Sequence, residues 1–361
     1  MQRNQSLDVL RCAAVLLTVG FHFPYYGIWG RIGWIGVDLF FVLSGFLISG
    51  LLFQEHKDTG SVNFKRFILR RGLKIWPSFY LFLLFVAAFW FRKPSSLLGE
   101  QILYNLVWLQ NYHASNSIFL IHMWSLAVEE HFYVLLPALL LLLIKVCRGR
   151  DPFWPIPVIF VLFSALCLAS RWTLPPGANA GATQMRIDSL FAGVALGYLY
   201  HFRREWFEKL TGNFAMALAC LACLATGLFR TQFTETIGLS VLFVGFSILL
   251  AWAVVRKTDN LPFQVVWKFA AQIGFYSYSI YVWHTAVLYL VTTYLGWSVL
   301  PFWIYLIVTI IVGIAMANLV EVPFLKLREK LFPPSRARRS VLTFSPDPAG
   351  VPQVSSSRIV P

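Results

Sequence analysis

The sequence predicts an all-α, polytopic membrane protein with about ten transmembrane helices plus a short re-entrant or interfacial helix. Three observations carry that prediction. Of the 361 residues, 58% are hydrophobic and only 13% are charged, against roughly 45–50% and about 25% in soluble proteins. Apolar stretches recur along most of the chain, most of them near the ~20 residues a helix needs to cross hydrocarbon. The Lys and Arg side chains collect between those stretches, as membrane orientation signals do. Aromatic residues make up 17% of the chain, which excludes a disordered polymer. The formal charge of +14 is spread over inter-span loops and a tail, with no soluble basic domain, so no nucleic-acid partner is expected.

The spans follow in order. Leu7–Tyr26 comes first; Asp8 and Arg11 interrupt it and no small-x-small pattern follows, which argues against a cleaved signal peptide. Trp34–Phe53 is the second, and Ile75–Phe91 the third, entered from a basic loop. Gln101–Tyr112 is too short for a comfortable crossing and reads as the re-entrant or interfacial segment. Trp124–Val146 opens on a polar turn and continues as a long apolar run. Trp154–Trp172, Ile187–Phe202, Phe214–Phe229, Thr236–Val255, Phe269–Tyr294 and Phe302–Val322 complete ten crossings, so both ends share a side. With the N-terminus grouped with alternate loops and the tail, 24 Lys and Arg fall on that side and 6 on the other. The positive-inside rule then makes both termini cytoplasmic. Residues 1–330 form one integral-membrane domain, and residues 331–361 form a basic, Pro/Ser-rich tail expected to be disordered in the cytoplasm.

Five cysteines (Cys12, Cys147, Cys167, Cys220, Cys223) lie in or beside apolar segments. Cys220 and Cys223 have CxxC spacing but no second pair answers them, so neither a disulfide framework nor a metal site is expected. They read as small residues packed between helices.

Ionisable side chains inside a bilayer are expensive and usually mark a function. Arg11 and His22 lie eleven residues apart on the first span, which returns them to one helix face about 16 Å apart. Taken alone, Arg11 could snorkel to headgroups and His22 could be a structurally hydrogen-bonded imidazole. Asp38, just inside the second span, returns to the depth of His22, where a carboxylate could fix its tautomer and stabilise its protonated form. In WSLAVEEHFYVLLP (124–137), Glu129 and Glu130 point about 100° apart, so one can face the bundle interior; His131 adds a third polar group. Arg186 and Asp188 open the sixth span, His284 lies in the ninth, and Glu321 closes the tenth. These six residues (Glu129, Glu130, Arg186, Asp188, His284, Glu321) form a polar cluster for the acceptor or for structure. In KRFILRRGLKIWP, Arg71 and Lys74 are helical neighbours, with Arg70 pointing elsewhere. The cluster reads either as a positive-inside stop or as a clamp for the phosphates of a nucleotide-bearing donor.

Taken in order, Arg11-x10-His22, GVDLFFVLSGFLIS (36–49), RRGLKIWP (70–77), WSLAVEEHFYVLLP, RIDSLFAG (186–193), YSYSIYVWH (276–284) and EVPF (321–324) resemble the signatures of the acyltransferase 3 family of integral-membrane acyltransferases, from about residue 5 to 325. The resemblance implies a ten-span bundle in a bacterial inner membrane. It would move an acyl group, often acetyl, from cytoplasmic acyl-CoA to a hydroxyl of a carbohydrate or glycolipid acceptor of the cell envelope. It also implies that Arg11 and His22 are the essential pair and that the basic loop (Arg70, Arg71, Lys74) binds the donor. Lys74 departs from the family's usual Arg, replacing a fork with a point charge, and His131 stands where Gln is usual. Many members carry an appended esterase-like domain; none is expected here, so transfer finishes in the membrane domain or on another protein. Acyl-CoA, acetyl-CoA in the usual case, would be a donor substrate, with no permanently bound cofactor.

On chemical grounds, a thioester is already activated, so catalysis must deprotonate the hydroxyl and stabilise an oxyanion. His22 oriented by Asp38 is the expected general base, an acyl-His intermediate is the alternative, and Arg11 would position the donor. The scheme requires Arg11 and His22 to face one water-reachable cleft. A transporter using the same His, Asp, Glu and Arg as a proton or substrate pathway is the rival reading; no similarity between sequence halves favours it. A non-catalytic scaffold would leave the buried charges without purpose. The His-x4-Asp type of acyltransferase fits less well, because it needs an acid five residues after the His and position 27 is Gly. The membrane-bound O-acyltransferase type pairs an isolated His with a distant Asn, whereas here an Arg-x10-His face dominates.

Overall fold

The computed structural model describes residues 4–23, 27–92, 96–113, 117–147, 149, 151–173, 181–229, 231, 233–256, 263–296 and 299–333. The expected disordered tail therefore lies almost wholly outside the described residues. Among those described, every regular element is helical and there is no strand.

In order, the α-helices are α1 (Gln5–Phe21), α2 (Gly27–Ile32), α3 (Gly36–Thr59), α4 (Phe64–Arg92), α5 (Ser96–Leu106), α6 (Trp124–Val146), α7 (Ile156–Thr173) and α8 (Thr183–Phe202). They continue with α9 (Arg204–Lys209), α10 (Asn213–Leu228), α11 (Leu239–Val255), α12 (Gln264–Phe275), α13 (Ser277–Leu295), α14 (Val299–Met316) and α15 (Val322–Leu331). Local chemistry sets several boundaries. The Asn4 side chain caps α1 by accepting from the Ser6 amide at 2.9 Å, satisfying one orphan donor of the first turn. Gly60, at φ +75°, closes α3 in the left-handed conformation that favours glycine.

Among the described residues, six helical stretches are long and apolar enough to cross a bilayer: Gly27–Thr59, Phe64–Phe91, Trp124–Val146, Ile156–Thr173, Thr234–Val255 and Leu300–Leu331. Length and composition alone thus mark six of the ten expected spans. The other four expected spans are helical but short or interrupted. α1 and α10 have 17 and 16 residues, while Arg186 and Asp188 break the apolar run of α8 and Ser277, Ser279, His284 and Thr285 that of α13. The expected ninth span, Phe269–Tyr294, is two helices that break at Tyr276. Its first part, α12, lies against α1 so closely that a Cβ on Gly274 would fall on the Asp8 carbonyl. The expected re-entrant segment is the short α5 and a 3₁₀ turn at Gln110–Tyr112.

Among the described residues, three apolar clusters fill the interior. One joins α1, α4, α13 and α14, a second α3, α4, α6, α7 and α8, and a third α1, α3, α8, α10 and α11. The most extensive helix pair is α3 with α8, which run parallel. Asp38 meets Arg186 near their starts, and Lys57 donates to the His201 carbonyl near their ends at 2.7 Å. Glycines let their backbones approach. A Cβ on Gly45 would overlap the Leu190 carbonyl, and one on Gly193 the Val42 carbonyl, the close packing that small residues provide between membrane helices.

Gly45→Val and Gly193→Val should each destabilise the bundle by at least about 1–3 kcal/mol, the usual range for overpacking a filled core. Thermal unfolding of the detergent-solubilised variants checks this. Gly212→Ala, where a Cβ meets nothing within 4 Å, should leave the transition unchanged.

Candidate functional site: a basic passage leading to three histidines

The charges of the bundle fall into two groups. The first sits where α3, α7 and α8 meet. Asp38, fully buried, accepts from Arg186 Nη2 at 2.9 and 3.0 Å through its two oxygens and from Ser189 Oγ at 3.2 Å. Asp188, also fully buried, accepts from Arg171 Nη2 at 2.8 Å. Arg171 reaches the Met185 carbonyl at 2.9 Å, and the Arg186 guanidinium lies 5.2 Å from the Trp124 ring centroid. Two cations face two anions, and each pair ties neighbouring helices together.

This corrects the expected role of Asp38. It does not orient His22, because α3 turns that face toward α8 and Arg186 takes the carboxylate. The imidazole of His22 is instead held by its own helix. Its Nδ1 lies 2.8 Å from the Thr18 carbonyl, an acceptor only, so Nδ1 carries the proton and Nε2 the lone pair. Two further imidazoles accompany it. The His284 ring centroid is 4.7 Å from that of His22, and the His122 centroid is 6.3 Å from it. His284 Nδ1 contacts the Tyr281 carbonyl at 2.5 Å, and its buried Nε2 has no hydrogen-bond partner among the described residues. His22 is half-buried, whereas His122 and His284 are buried. Among the described residues, no group of His, Cys, Asp and Glu has a geometry that would hold a metal.

The second group of charges lies toward the other end of α1. A cavity of about 120 Å³ is lined by Arg11, Arg71, Lys74, Glu129 and Tyr133, with Ser44, Ser125 and Tyr281 also on its wall. Tyr133 donates to Glu129 at 2.7 Å and lies 3.2 Å from Ser44 Oγ. The Arg71 guanidinium stands 5.7 Å from the Tyr133 ring centroid. Arg11 pairs with Asp8 at 2.8 Å. A larger chamber of about 370 Å³ shares Arg11, Leu47, Arg71 and Lys74 with the first and adds Arg66, Arg70 and Arg328. The two chambers therefore form one passage, with Arg11, Arg71 and Lys74 at the junction.

Neither of these two chambers is lined by both Arg11 and His22, whereas one shared cleft was expected. Tyr281 closes the inner chamber, its hydroxyl 2.5 Å from Ser125 Oγ and donating to the His122 carbonyl at 2.7 Å. The Tyr281 ring lies 5.2 Å from His122 and 5.6 Å from His284, so the imidazoles occupy the next layer beyond it. His22 lines neither chamber.

The other expected residues are dispersed. Glu130 lies outside the chamber wall, near Trp76. His131 Nδ1 contacts Thr183 Oγ1 at 2.7 Å, which also accepts from Asn111, so it fastens the 3₁₀ turn to α8. Buried Glu321 accepts from Ser279 at 3.0 Å, within electrostatic reach of Lys74. Arg70 is committed to Glu329 at 2.9 Å. Sequence reasoning missed His122, Tyr133, Tyr281, Arg171 and the outer cations Arg66 and Arg328. His122 stands two residues before the predicted edge of the fourth span, where a polar residue flanked by apolar neighbours was the available signal; Arg171 is one of the six Lys and Arg counted on the opposite side.

If Asp38 and Arg186 are a structural pair, Asp38→Ala should cost about 3–5 kcal/mol by leaving a buried cation without its partner. Asp38→Leu combined with Arg186→Met should recover most of that loss in thermal unfolding.

A family profile for an acyltransferase domain matches residues 4–318. The chain is 27% identical over 317 residues to a peptidoglycan O-acetyltransferase of Listeria monocytogenes, covering 80% of this chain and 50% of that protein. It is 29% identical over 362 residues to a candidate O-acetyltransferase of Staphylococcus aureus, covering 90% and 58%. A candidate peptidoglycan O-acetyltransferase of Bacillus subtilis is 26% identical over 346 residues, covering 87% and 53%. The chain spans about half the length of these relatives, and no solved structure matches it. With the Arg-x10-His helix, the basic passage and the profile match in hand, the chain belongs to the acyltransferase 3 family.

Proposed function

We propose that this protein is an acyl-CoA-dependent O-acetyltransferase of the bacterial inner membrane whose acceptor is a hydroxyl of a cell-envelope glycan. Ten crossings and cytoplasmic termini, inferred from the charge distribution, belong to the same proposal, and they open the basic chamber to the cytoplasm. The observation that carries the reading is the passage itself: cations at the mouth and junction, a narrow inner chamber, then imidazoles in the next layer. That order matches a donor with phosphates at one end and a thioester at the other. The names of the relatives support an acetyl group and an envelope glycan.

The chemistry assigned to the chain's residues is as follows. Arg71 and Lys74 attract the donor's diphosphate, with Arg11 beside them, and the pantetheine arm extends into the inner chamber. Tyr281 swings from Ser125 and the His122 carbonyl to admit the acyl end. His22, its Nδ1–H held on the Thr18 carbonyl, accepts the proton of the acceptor hydroxyl at Nε2. The oxygen attacks the thioester carbonyl, and the tetrahedral intermediate expels the CoA thiolate, which takes the proton from the imidazolium. In the alternative order the same lone pair attacks the thioester and expels the CoA thiolate, leaving an acyl-imidazole; the acceptor hydroxyl then displaces the imidazole from the acyl carbon and gives its proton to the thiolate.

Cells lacking the protein should lose O-acetyl groups from one envelope glycan, seen by mass spectrometry as the loss of one acetyl mass per modified sugar, and complementation should restore them. His22→Ala, inserted at wild-type level, should lower that modification by at least about 100-fold, the lower bound expected for removing a general base. Unchanged acetylation in that variant would sink the assignment of His22.

A further inference from the structure

The outer chamber is more basic than a thioester-binding passage needs. Six cations line it (Arg11, Arg66, Arg70, Arg71, Lys74 and Arg328) against two carboxylates, Glu55 and Asp58. Three of the cations are already neutralised or tied down. Arg11 pairs with Asp8, and Glu329 receives both Arg70 and Arg328. Among the described residues, Arg66, Arg71 and Lys74 form no ion pair. Arg66 donates only to the neutral Pro333 carbonyl, as Arg70 does to that of Phe332.

Arg66, Arg70 and Lys74 recur every four residues on α4, so they climb one helix face over about 12 Å. Arg71 and Lys74 sit at the inner step, shared by both chambers, and Arg66 at the outer one. Arg328 is brought over the mouth from α15, whose end is pinned to α4 through Glu329 and the two carbonyls. One anionic group would satisfy the inner step and leave Arg66 and Arg328 facing an empty, half-enclosed volume. Arg66 has no anion at ion-pair distance and Arg328 shares the one Glu329 carboxylate with Arg70, so positive charge is in excess at this step, and the fork geometry of Arg suits a phosphate.

We propose that Arg66 and Arg328 form a second, outer subsite for a phosphomonoester, which in the donor is the phosphate on the ribose of CoA, while Arg71 and Lys74 hold the diphosphate. This rests on the reading of acyl-CoA as donor and assigns how that donor is told apart from analogues. Glu55 and Asp58 take part in local hydrogen bonds with Asn63 and Gln54. They face the same chamber and are suited to accept from the ribose hydroxyl or the adenine amino group. They also disfavour a continuous anionic lipid surface at this mouth. An anionic headgroup is nevertheless the other source of the same phosphate chemistry.

The test compares binding of CoA and 3′-dephospho-CoA to the full chain in phosphatidylcholine nanodiscs. The wild type should prefer CoA by about tenfold or more, the scale of a single charge-assisted hydrogen bond to a phosphate. Arg66→Ala and Arg328→Ala should bring CoA down to the level of 3′-dephospho-CoA, whose own affinity stays unchanged. Lys74→Ala should weaken both ligands by the same factor. Equal wild-type binding of the two, or equal weakening of both by Arg66→Ala and Arg328→Ala, overturns the outer subsite while leaving CoA as donor. Binding of neither ligand overturns the donor reading itself. In nanodiscs containing phosphatidylglycerol, the CoA preference should persist; its loss there, graded with the phosphatidylglycerol fraction, would assign the subsite to lipid. Thermal unfolding of each variant separates weakened binding from a damaged fold, and Arg66→Lys should recover part of the preference if charge is what Arg66 supplies.

Discussion

A charge carried into a low-dielectric helix bundle must meet a partner, and this protein satisfies that constraint at one end and leaves it open at the other. Around α8 the charges are matched: Asp38 with Arg186, Asp188 with Arg171, with serine and backbone groups taking further hydrogen bonds. Around α4 they are not, since Arg66, Arg71 and Lys74 have no anionic partner within ion-pair distance among the described residues. Buried pairs of the first kind hold helices in register and add little chemistry. Unpaired cations lining a hollow are what a bundle built to receive an anion requires. The location of function follows from that asymmetry more than from the mere presence of charge.

The same constraint explains what the sequence could and could not reveal. Hydrophobic period and length placed the helical segments, and the eleven-residue interval put Arg11 and His22 on one helix. The place of Asp38 in the first turn of α3 was legible, but direction around the helix axis was not. Its partner depended on which neighbour α3 packs against, and the glycines at 45 and 193 draw it onto α8. The break at Tyr276 was hidden because apolar residues continue on both sides of it, while the contact that bends the chain is the close approach of Gly274 to α1, far away in sequence. The mouth was half-visible. The α4 cations stood in one loop motif, but Arg328 joins them only through the docking of α15.

The replacement of a carboxylate by the Thr18 carbonyl at His22 changes the electrostatics of the proposed step. A carbonyl fixes the tautomer as firmly as an Asp would, yet supplies no full negative charge to offset an imidazolium. The neighbouring imidazoles of His122 and His284 carry no negative charge either. A protonated His22 would therefore be short-lived, and its proton has to leave in the same event that expels the thiolate. Thioester chemistry permits this, because the leaving thiolate is itself a base and departs as the proton becomes available. An amide or oxygen ester as donor would demand a longer-lived acid at this position.

Closure of the inner chamber by Tyr281 adds a second condition. Its hydroxyl bridges α6 and the chain before it by contacts to Ser125 and to the His122 carbonyl, so the rest state keeps the cation-lined passage apart from the imidazoles. A permanently open route would join two water-filled compartments through the bundle and would expose a bound thioester to hydrolysis. A barrier made of two hydrogen bonds on one side chain is stable enough to exclude water and weak enough to yield when a donor fills the chamber beneath it. The side chain that lies between the chamber of Arg11 and the ring of His22 is thus the one whose movement would unite them on one substrate.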